Sequence, residues 1–267
     1  MHKKICVWAV CDSESNNQMS MNKVGESHVF SLYVDKKEFK NNQLCELTDT
    51  DLVHRITHVL RLEVGEELIL FTGTYRALIT LEHMDKKRVI GRVVEFSQIH
   101  VLTPYISWFL PVLEREDFEN ALTMLTVYGA YTIIPFISQK SRRNWGSDKD
   151  FERAKKIMVA AAEQSKQYVL PLIEPVLSFE HMTKKMTEYT TVLFEFDGQS
   201  PRELLLGDNV QKKPKTIAGL VGPEGGFSAE EEALLRAHAT HVCTLVPMTL
   251  KACDAVSLGM GLMRSLL

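Results

Sequence analysis

Gly222, Gly225 and Gly226 fall within five residues of the stretch TIAGLVGPEGGFSAEEE (216–232), where this chain is best equipped to hold a small molecule. Glycine has no Cβ, so its backbone can approach a ligand closely. The apolar run 217–221 before the turn reads as a buried strand, and Ser228 with Glu231 three positions on makes a capping box that starts a helix. Strand, glycine turn and helix start together bind anionic or polar small molecules through backbone N–H groups. Two readings stand at this level: a ligand-binding turn, or an ordinary tight turn. The dinucleotide fingerprint GxGxxG and the P-loop GKS or GKT both fail here. Glu224 is the one charged group in the turn. It is placed either to accept from a ligand hydroxyl or to cap the helix at Ser228.

A second candidate is electrostatic. The loop QKSRRNWG (139–146) gathers Lys140, Arg142 and Arg143, and Lys149, Arg153, Lys155 and Lys156 follow. Such a cluster can neutralise RNA phosphates, and Trp145 within it can stack on a base. The plainer alternative is a solvated loop and helix face, since Asp148, Asp150 and Glu152 dilute the charge. His54 and His58 have the i, i+4 spacing of a zinc-protease helix, but Arg55 stands where that motif has glutamate, so no metal site is expected.

The elements that position these residues can be read in outline. The chain of 267 residues is long enough for one large domain or two ordinary ones. Its 45% hydrophobic and 24% charged content is that of a soluble globular protein. A net charge of −3 gives no global pull toward nucleic acid or membrane, so any polyanion site must be a local patch. Five scattered cysteines without a CxxC pair favour a reducing compartment over a disulfide frame. No apolar run reaches membrane-spanning length, and the start lacks the features of a signal peptide. The reading is of a cytoplasmic protein with no membrane partner.

Residues 1–27 read as a flexible extension. From His28 the texture changes to densely packed strand patterns (HVFSLYV, LCELT, EELILFTG, YRALITLEHM, RVIGRVVEF) with a short amphipathic helix over 51–62, beginning at Asp49 or Asp51. That density predicts a small barrel. Thr103-Pro104 reads as a linker, after which strands at 106–110, 131–137, 190–196, 217–221 and 241–246 alternate with helices at 117–128, 150–166, 228 onward and 252–266. Alternation of this kind predicts an α/β domain with a mostly parallel sheet.

With its segments in order, the chain from about His28 onward resembles the RsmE family of small-subunit ribosomal RNA uridine N3-methyltransferases. LVGPEGGFSAEEEALLRA (220–237) resembles a signature of the form IGPEGGFS followed by acidic helix residues, VLRLEVGEEL (59–68) resembles VLRLKVGDEV, and AAEQSKQ (161–167) resembles AAEQSGR. The resemblance implies an α/β fold with a SPOUT-type trefoil-knotted methyltransferase domain over 103–267, preceded by a PUA-like RNA-binding β-barrel over 28–102. It implies S-adenosylmethionine bent into the knot and held mostly by backbone groups of three stretches. These are Leu193, Phe194 and Glu195; Gly222, Pro223, Glu224, Gly225 and Gly226; and Leu245, Pro247 and Leu250. It further implies 16S rRNA or the small subunit as partner, contacts to RNA from Arg61, Lys140, Arg142 and Arg143, and a homodimer formed through the knot. No catalytic base is identified.

Two stretches depart from the family pattern. Where the family has LGPRILRTETA, this chain has LVPMTLKACDA (245–255), with Met248 and Lys251 at the arginine positions, Cys253 at the glutamate and Asp254 at the second threonine. Lysine keeps the charge of arginine and loses its planar fork. In the first helix, EWMIQKATELG becomes ENALTMLTVYG (119–129), so Met124 and Val127 stand where a lysine and a glutamate are expected. Either the charge network has been rebuilt around Lys251 and Asp254 in an active enzyme, or the scaffold persists as an RNA- or ribosome-binding protein with impaired transfer. A third possibility keeps the chemistry on a different RNA acceptor.

Overall fold

The computed structural model describes residues 29–34, 44–200 and 216–266. The extension expected over residues 1–27 lies outside the described residues. Two sheets organise the rest. The first holds β1 (Phe30–Tyr33), β2 (Leu44–Leu47), β3 (Glu67–Phe71), β4 (Tyr75–Met84) and β5 (Val89–Gln98), in the order β1-β3-β4-β5-β2. Only β1 and β3 run parallel; the other pairs are antiparallel. Inward residues at alternate positions, such as Leu68 and Leu70, meet Ile56 and Leu52 of the helix that follows β2. That helix is α1 (Thr50–His54), capped by Asp49 and continued by a π-helical turn over Arg55–Val59.

The second sheet contains β6 (Tyr105–Pro111), β7 (Thr132–Ile137), β8 (Leu172–Ile173), β9 (Leu177–Ser178), β10 (Thr190–Gln199), β11 (Thr216–Leu220) and β12 (His241–Cys243). Its order is β12-β10-β11-β6-β7-β8, with β9 also on β7, and every pairing is parallel. Helices α2 (Arg115–Val127), α3 (Asp148–Ser165) and α6 (Ala252–Leu266) cover one face, and α4 (Phe179–Met186) and α5 (Ala229–His238) the other. A sheet covered on both faces needs apolar residues at every position rather than alternate ones. So Trp108 and Leu110 point into the first core while Phe109 points into the second, and Val192 and Phe194 are split from Leu193 in the same way.

The segment between α3 and β10 was not assigned from sequence, and it contains β8, β9 and α4. The two strands have two residues each, too short for a periodic signal. The helix did carry one. Ser178 accepts from His181 N–H as an N-cap, Met182 and Met186 are buried on one side, and Lys184 and Lys185 occupy the last turn.

The two sheets meet through α3. Glu163 accepts from Tyr33 N–H at 2.9 Å and from both terminal nitrogens of Arg55 at 3.2 and 2.6 Å, and its carbonyl accepts from Ser31 Oγ at 2.6 Å. Ile69, Phe71, Ala162 and Tyr168 form a small apolar core beside this clasp. The AAEQS segment is therefore the joint between the two halves. Arg264, near the end of α6, donates to the carbonyls of Pro104, Tyr128 and Gly129, tying the last helix to the start of the second half.

Candidate cofactor pocket

Parallel sheets leave a crevice outside the carboxyl ends of their strands, where ligands of α/β proteins bind. Here the ends of β10, β11 and β12 and the first turns of α2 and α6 enclose a cavity of about 640 Å³. The glycine turn forms one wall. Gly226 N–H donates to Pro223 carbonyl at 2.8 Å, closing a tight turn that places Gly226 at φ +65°, a left-handed conformation that suits glycine. A Cβ at Gly226 would meet nothing within 4 Å, so the backbone there faces open space.

Glu224 does not cap the helix at Ser228, and one of its oxygens is already engaged. Its Oε1 accepts from the backbone N–H of Glu114 at 2.9 Å, pinning the turn to the start of α2. The capping of Ser228 falls to Glu231, as the S-x-x-E spacing predicts, and Glu231 also accepts from Gln139 N–H at 2.7 Å. Lys140 completes the brace, its Nζ donating to the carbonyls of Gly225 at 3.1 Å and Phe227 at 2.8 Å.

The residues singled out from sequence divide accordingly. Phe194, Glu195, Gly222, Pro223, Glu224, Gly226, Leu245 and Leu250 line the cavity. Leu193, one step out of phase with Phe194, is buried in the opposite core. The open side of Gly225 faces Lys140, whose Cβ would lie 3.4 Å from an added Cβ, and Pro247 is exposed outside the wall. Of the basic residues, Arg61 lies past the end of the helix, at φ 55°, rather than on it. Lys140 is committed to the turn, Arg142 is exposed, and Arg143 lies over the Phe118 ring at 5.5 Å. Trp145 is buried between Phe118 and Phe151, where it cannot stack on a base.

Two carboxylates that sequence reasoning did not place here, Asp117 and Glu232, also line the cavity. Asp117 comes from α2, and Glu232 from α5 beside Glu195. Burial, and then the charge of Glu232, push the Glu195 carboxyl above its ordinary range, with Arg236 acting in the opposite sense. Asp254 sits next to Cys253 on the first turn of α6 and is exposed. With Asp117, Glu195, Glu224 and Glu232 set against Lys251, the cavity wall is predominantly negative. No spacing rule links these residues in sequence. Among the described residues, no group of three or more His, Cys, Asp or Glu is arranged to hold a metal ion.

Cys253, at the position of the family's glutamate, is buried and its thiol donates to Asp117 Oδ1 at 3.4 Å. Burial pushes this thiol up to about 11, and the carboxylate of Asp117 adds to the effect. Burial does the same to Cys243, also to about 11. A thiol that ionises near 9.0 when exposed and near 11 when folded stabilises the fold below pH 9 and loses that contribution as the pH rises toward 11. The urea midpoint is expected to fall across this window. Cys253→Ser should make the fall shallower, and identical pH profiles for variant and wild type would refute the assignment.

The cavity fits S-adenosylmethionine in kind. A cationic sulfonium and ammonium suit a carboxylate-rich wall, the adenine suits Phe194, Leu245 and Leu250, and the glycine turn exposes backbone without side chains.

Comparison with known proteins bears on the family and the fold. The RNA methyltransferase domain family matches residues 103–264. The Ribosomal RNA small subunit methyltransferase E of Rickettsia conorii is 25% identical over 237 residues, covering 88% of this chain and 89% of that protein. The protein of the same name from Bacillus subtilis is 27% identical over 210 residues, covering 74% and 81%. Among solved structures, the Neisseria gonorrhoeae Ribosomal RNA small subunit methyltransferase E bound to S-adenosyl methionine superposes with a TM-score of 0.76 at 22% identity, over 90% of this chain and 98% of that one. At that identity the likeness speaks for the fold alone. The family match spans well over half of the chain, which therefore belongs to the RNA methyltransferase domain family, as a member of its RsmE group.

Proposed function

We propose that this chain transfers a methyl group from S-adenosylmethionine to N3 of a uridine in 16S rRNA of the small ribosomal subunit. The observation that carries this is the convergence of the glycine turn, the end of β10 and the loop before α6 on one carboxylate-walled cavity. The names and ligand of the relatives support the cofactor and the RNA class. The cofactor supplies an already activated methyl on a sulfonium. The chain's own task is alignment, an effect worth up to roughly 7–11 kcal/mol in favourable systems. Gly222 and Gly226 offer backbone to the cofactor, and Phe194, Leu245 and Leu250 give its base an apolar surface. Asp117 and Glu232 favour its positive charge.

In this reading the domain over 103–267 is a SPOUT-type trefoil knot and works as a homodimer through that region. The barrel over 28–102 is PUA-like and helps hold RNA, with Arg61 as an exposed cation available to it. The protein acts in the cytoplasm. No helix among the described residues is long and apolar enough to cross a membrane.

Two measurements test the proposal separately. Titration calorimetry should detect S-adenosylmethionine binding, and Gly222→Val should weaken it by at least about ten-fold, because Gly222 lines the cavity. An absence of binding by the wild-type chain removes the enzyme reading. Mass spectrometry of rRNA from a deletion strain should show loss of N3-methyluridine, and an unchanged level removes the acceptor.

A further inference from the structure

A second, smaller cavity of about 180 Å³ lies between α2 and α3, roofed by the basic loop. Its size is well beyond the ~10–15 Å³ that one water requires. Three guanidinium groups, Arg115, Arg143 and Arg153, line it together with two carboxylates, Glu119 and Asp150. The pairing is uneven. Arg153 forks onto both oxygens of Glu119 at 2.5 and 2.7 Å, and Arg115 reaches the same carboxylate at 3.1 Å. Asp150 is occupied by its capping box, accepting from Gly146 N–H, Ser147 N–H and Ser147 Oγ. Hydrogen bonding from Ser147 and, to a lesser degree, the charge of Arg143 hold the Asp150 carboxyl below its ordinary range, but Arg143 Nε hydrogen-bonds to neither carboxylate. Its Nε is buried with no hydrogen-bond partner among the described residues, and its guanidinium rests on the Phe118 ring.

A buried donor without a partner costs free energy unless something fills its place. Three positive charges against two negative ones leave one positive charge in the cavity. The complementary guest carries a single negative charge and several acceptor oxygens, which describes a phosphodiester, and arginine is suited to bind one through its planar fork. The cavity also stands in the right place. Asp117, on the first turn of α2, lines the cofactor cavity, while Arg115, Phe118 and Glu119 on the same helix line this one. The two sites thus share helix α2 as a common wall.

We propose that this cavity binds one backbone phosphodiester of the RNA, with Arg143 as the direct contact and Arg115 and Arg153 supplying the surrounding field. The proposal rests on the RNA methyltransferase reading above. It assigns Arg143 and Arg142 different roles although they are neighbours in sequence: one is a built site, and the other an exposed charge.

The test compares Arg143→Met, Arg143→Lys and Arg142→Met in the full chain, with a 16S rRNA transcript as probe, titrated between about 50 and 200 mM salt. Calorimetry with S-adenosylmethionine on each variant reports independently on the fold and the cofactor cavity. Methionine retains the packing on Phe118, so Arg143→Met should keep normal cofactor binding. It should weaken RNA binding about ten-fold and reduce the salt slope by close to one phosphate contact. Arg143→Lys should restore the salt slope while recovering only part of the affinity, because the charge returns without the fork. Arg142→Met should change both quantities much less. Equal losses from Arg143→Met and Arg142→Met, or no loss from Arg143→Met when the wild type binds RNA, would overturn the subsite alone. A wild-type chain that binds neither cofactor nor RNA would overturn the enzyme reading and the subsite together, and one that binds cofactor without RNA would overturn the subsite and the acceptor.

Discussion

Gly219→Val is expected to lower the unfolding free energy by about 3 kcal/mol or more and to weaken cofactor binding with it. Gly219 lies in β11 between β10 and β6, and its cross-strand partner is Trp108. A Cβ at Gly219 would stand 2.3 Å from Trp108 Cζ3 and 2.6 Å from Cε3. The indole has no room to retreat. It is fully buried, it stacks on Phe194 with centroids 5.9 Å apart, and Gly259 of α6 closes the remaining side, where a Cβ would reach Trp108 Cη2 at 2.9 Å. The ring must therefore move and take with it Phe194, which is a wall of the cofactor cavity. Urea denaturation read by tryptophan fluorescence measures the stability, and calorimetry measures the affinity. Gly219→Ala presents the same first atom with less bulk and should show a smaller loss of the same kind. If Gly219→Ala and Gly219→Val both leave the urea midpoint and the cofactor affinity unchanged, the packing of Trp108 has been misjudged.

Glu163→Ala is expected to cost about 2 kcal/mol and to loosen the two halves of the molecule from each other. One carboxylate satisfies Tyr33 N–H and both ends of the Arg55 fork, and its removal leaves a part-buried backbone donor and a cation without partners. A lost hydrogen bond of this kind costs roughly 1–3 kcal/mol. Arg55 is 41% exposed, so the ion-pair component is screened and adds little to that figure. The stronger consequence is geometric, because the clasp sets how the first sheet stands against α3 and hence against any RNA spanning both. S-adenosylmethionine affinity should be unchanged, since the cavity contains nothing from the first sheet. RNA affinity should fall. Glu163→Gln, which retains an acceptor for Tyr33 N–H, should recover part of the stability. A drop in cofactor binding equal to the drop in RNA binding would show that the clasp is not a local joint.

The two variants differ in how legible their sites were. The motif AAEQS could be recognised from sequence, but nothing in it announces a contact with Tyr33 and Arg55, more than a hundred residues earlier. Gly219 reads as an unremarkable member of a strand, and its significance lies entirely in an indole on the neighbouring strand. The burial of Trp145 has the same origin. An aromatic residue among lysines and arginines is compatible with base stacking, yet two phenylalanines brought together by α2 and α3 draw it into the core.

What the sequence determined by itself was local in its physics. Runs of branched apolar residues specified both sheets, Asp49 and the Ser228–Glu231 box specified helix starts, and the glycine turn specified a tight corner that Gly226 closes in a left-handed conformation. These follow from backbone conformation and periodicity, which act over a few residues. Only the tertiary structure decided which charges are already satisfied. It set Lys140 and Glu224 to bracing the turn, turned Leu193 and Gly225 away from the cavity, and left Arg143 Nε buried with no hydrogen-bond partner among the described residues. The reason is physical. A charged side chain finds its partner across space, between segments whose separation in sequence carries no information about their distance once the chain has folded.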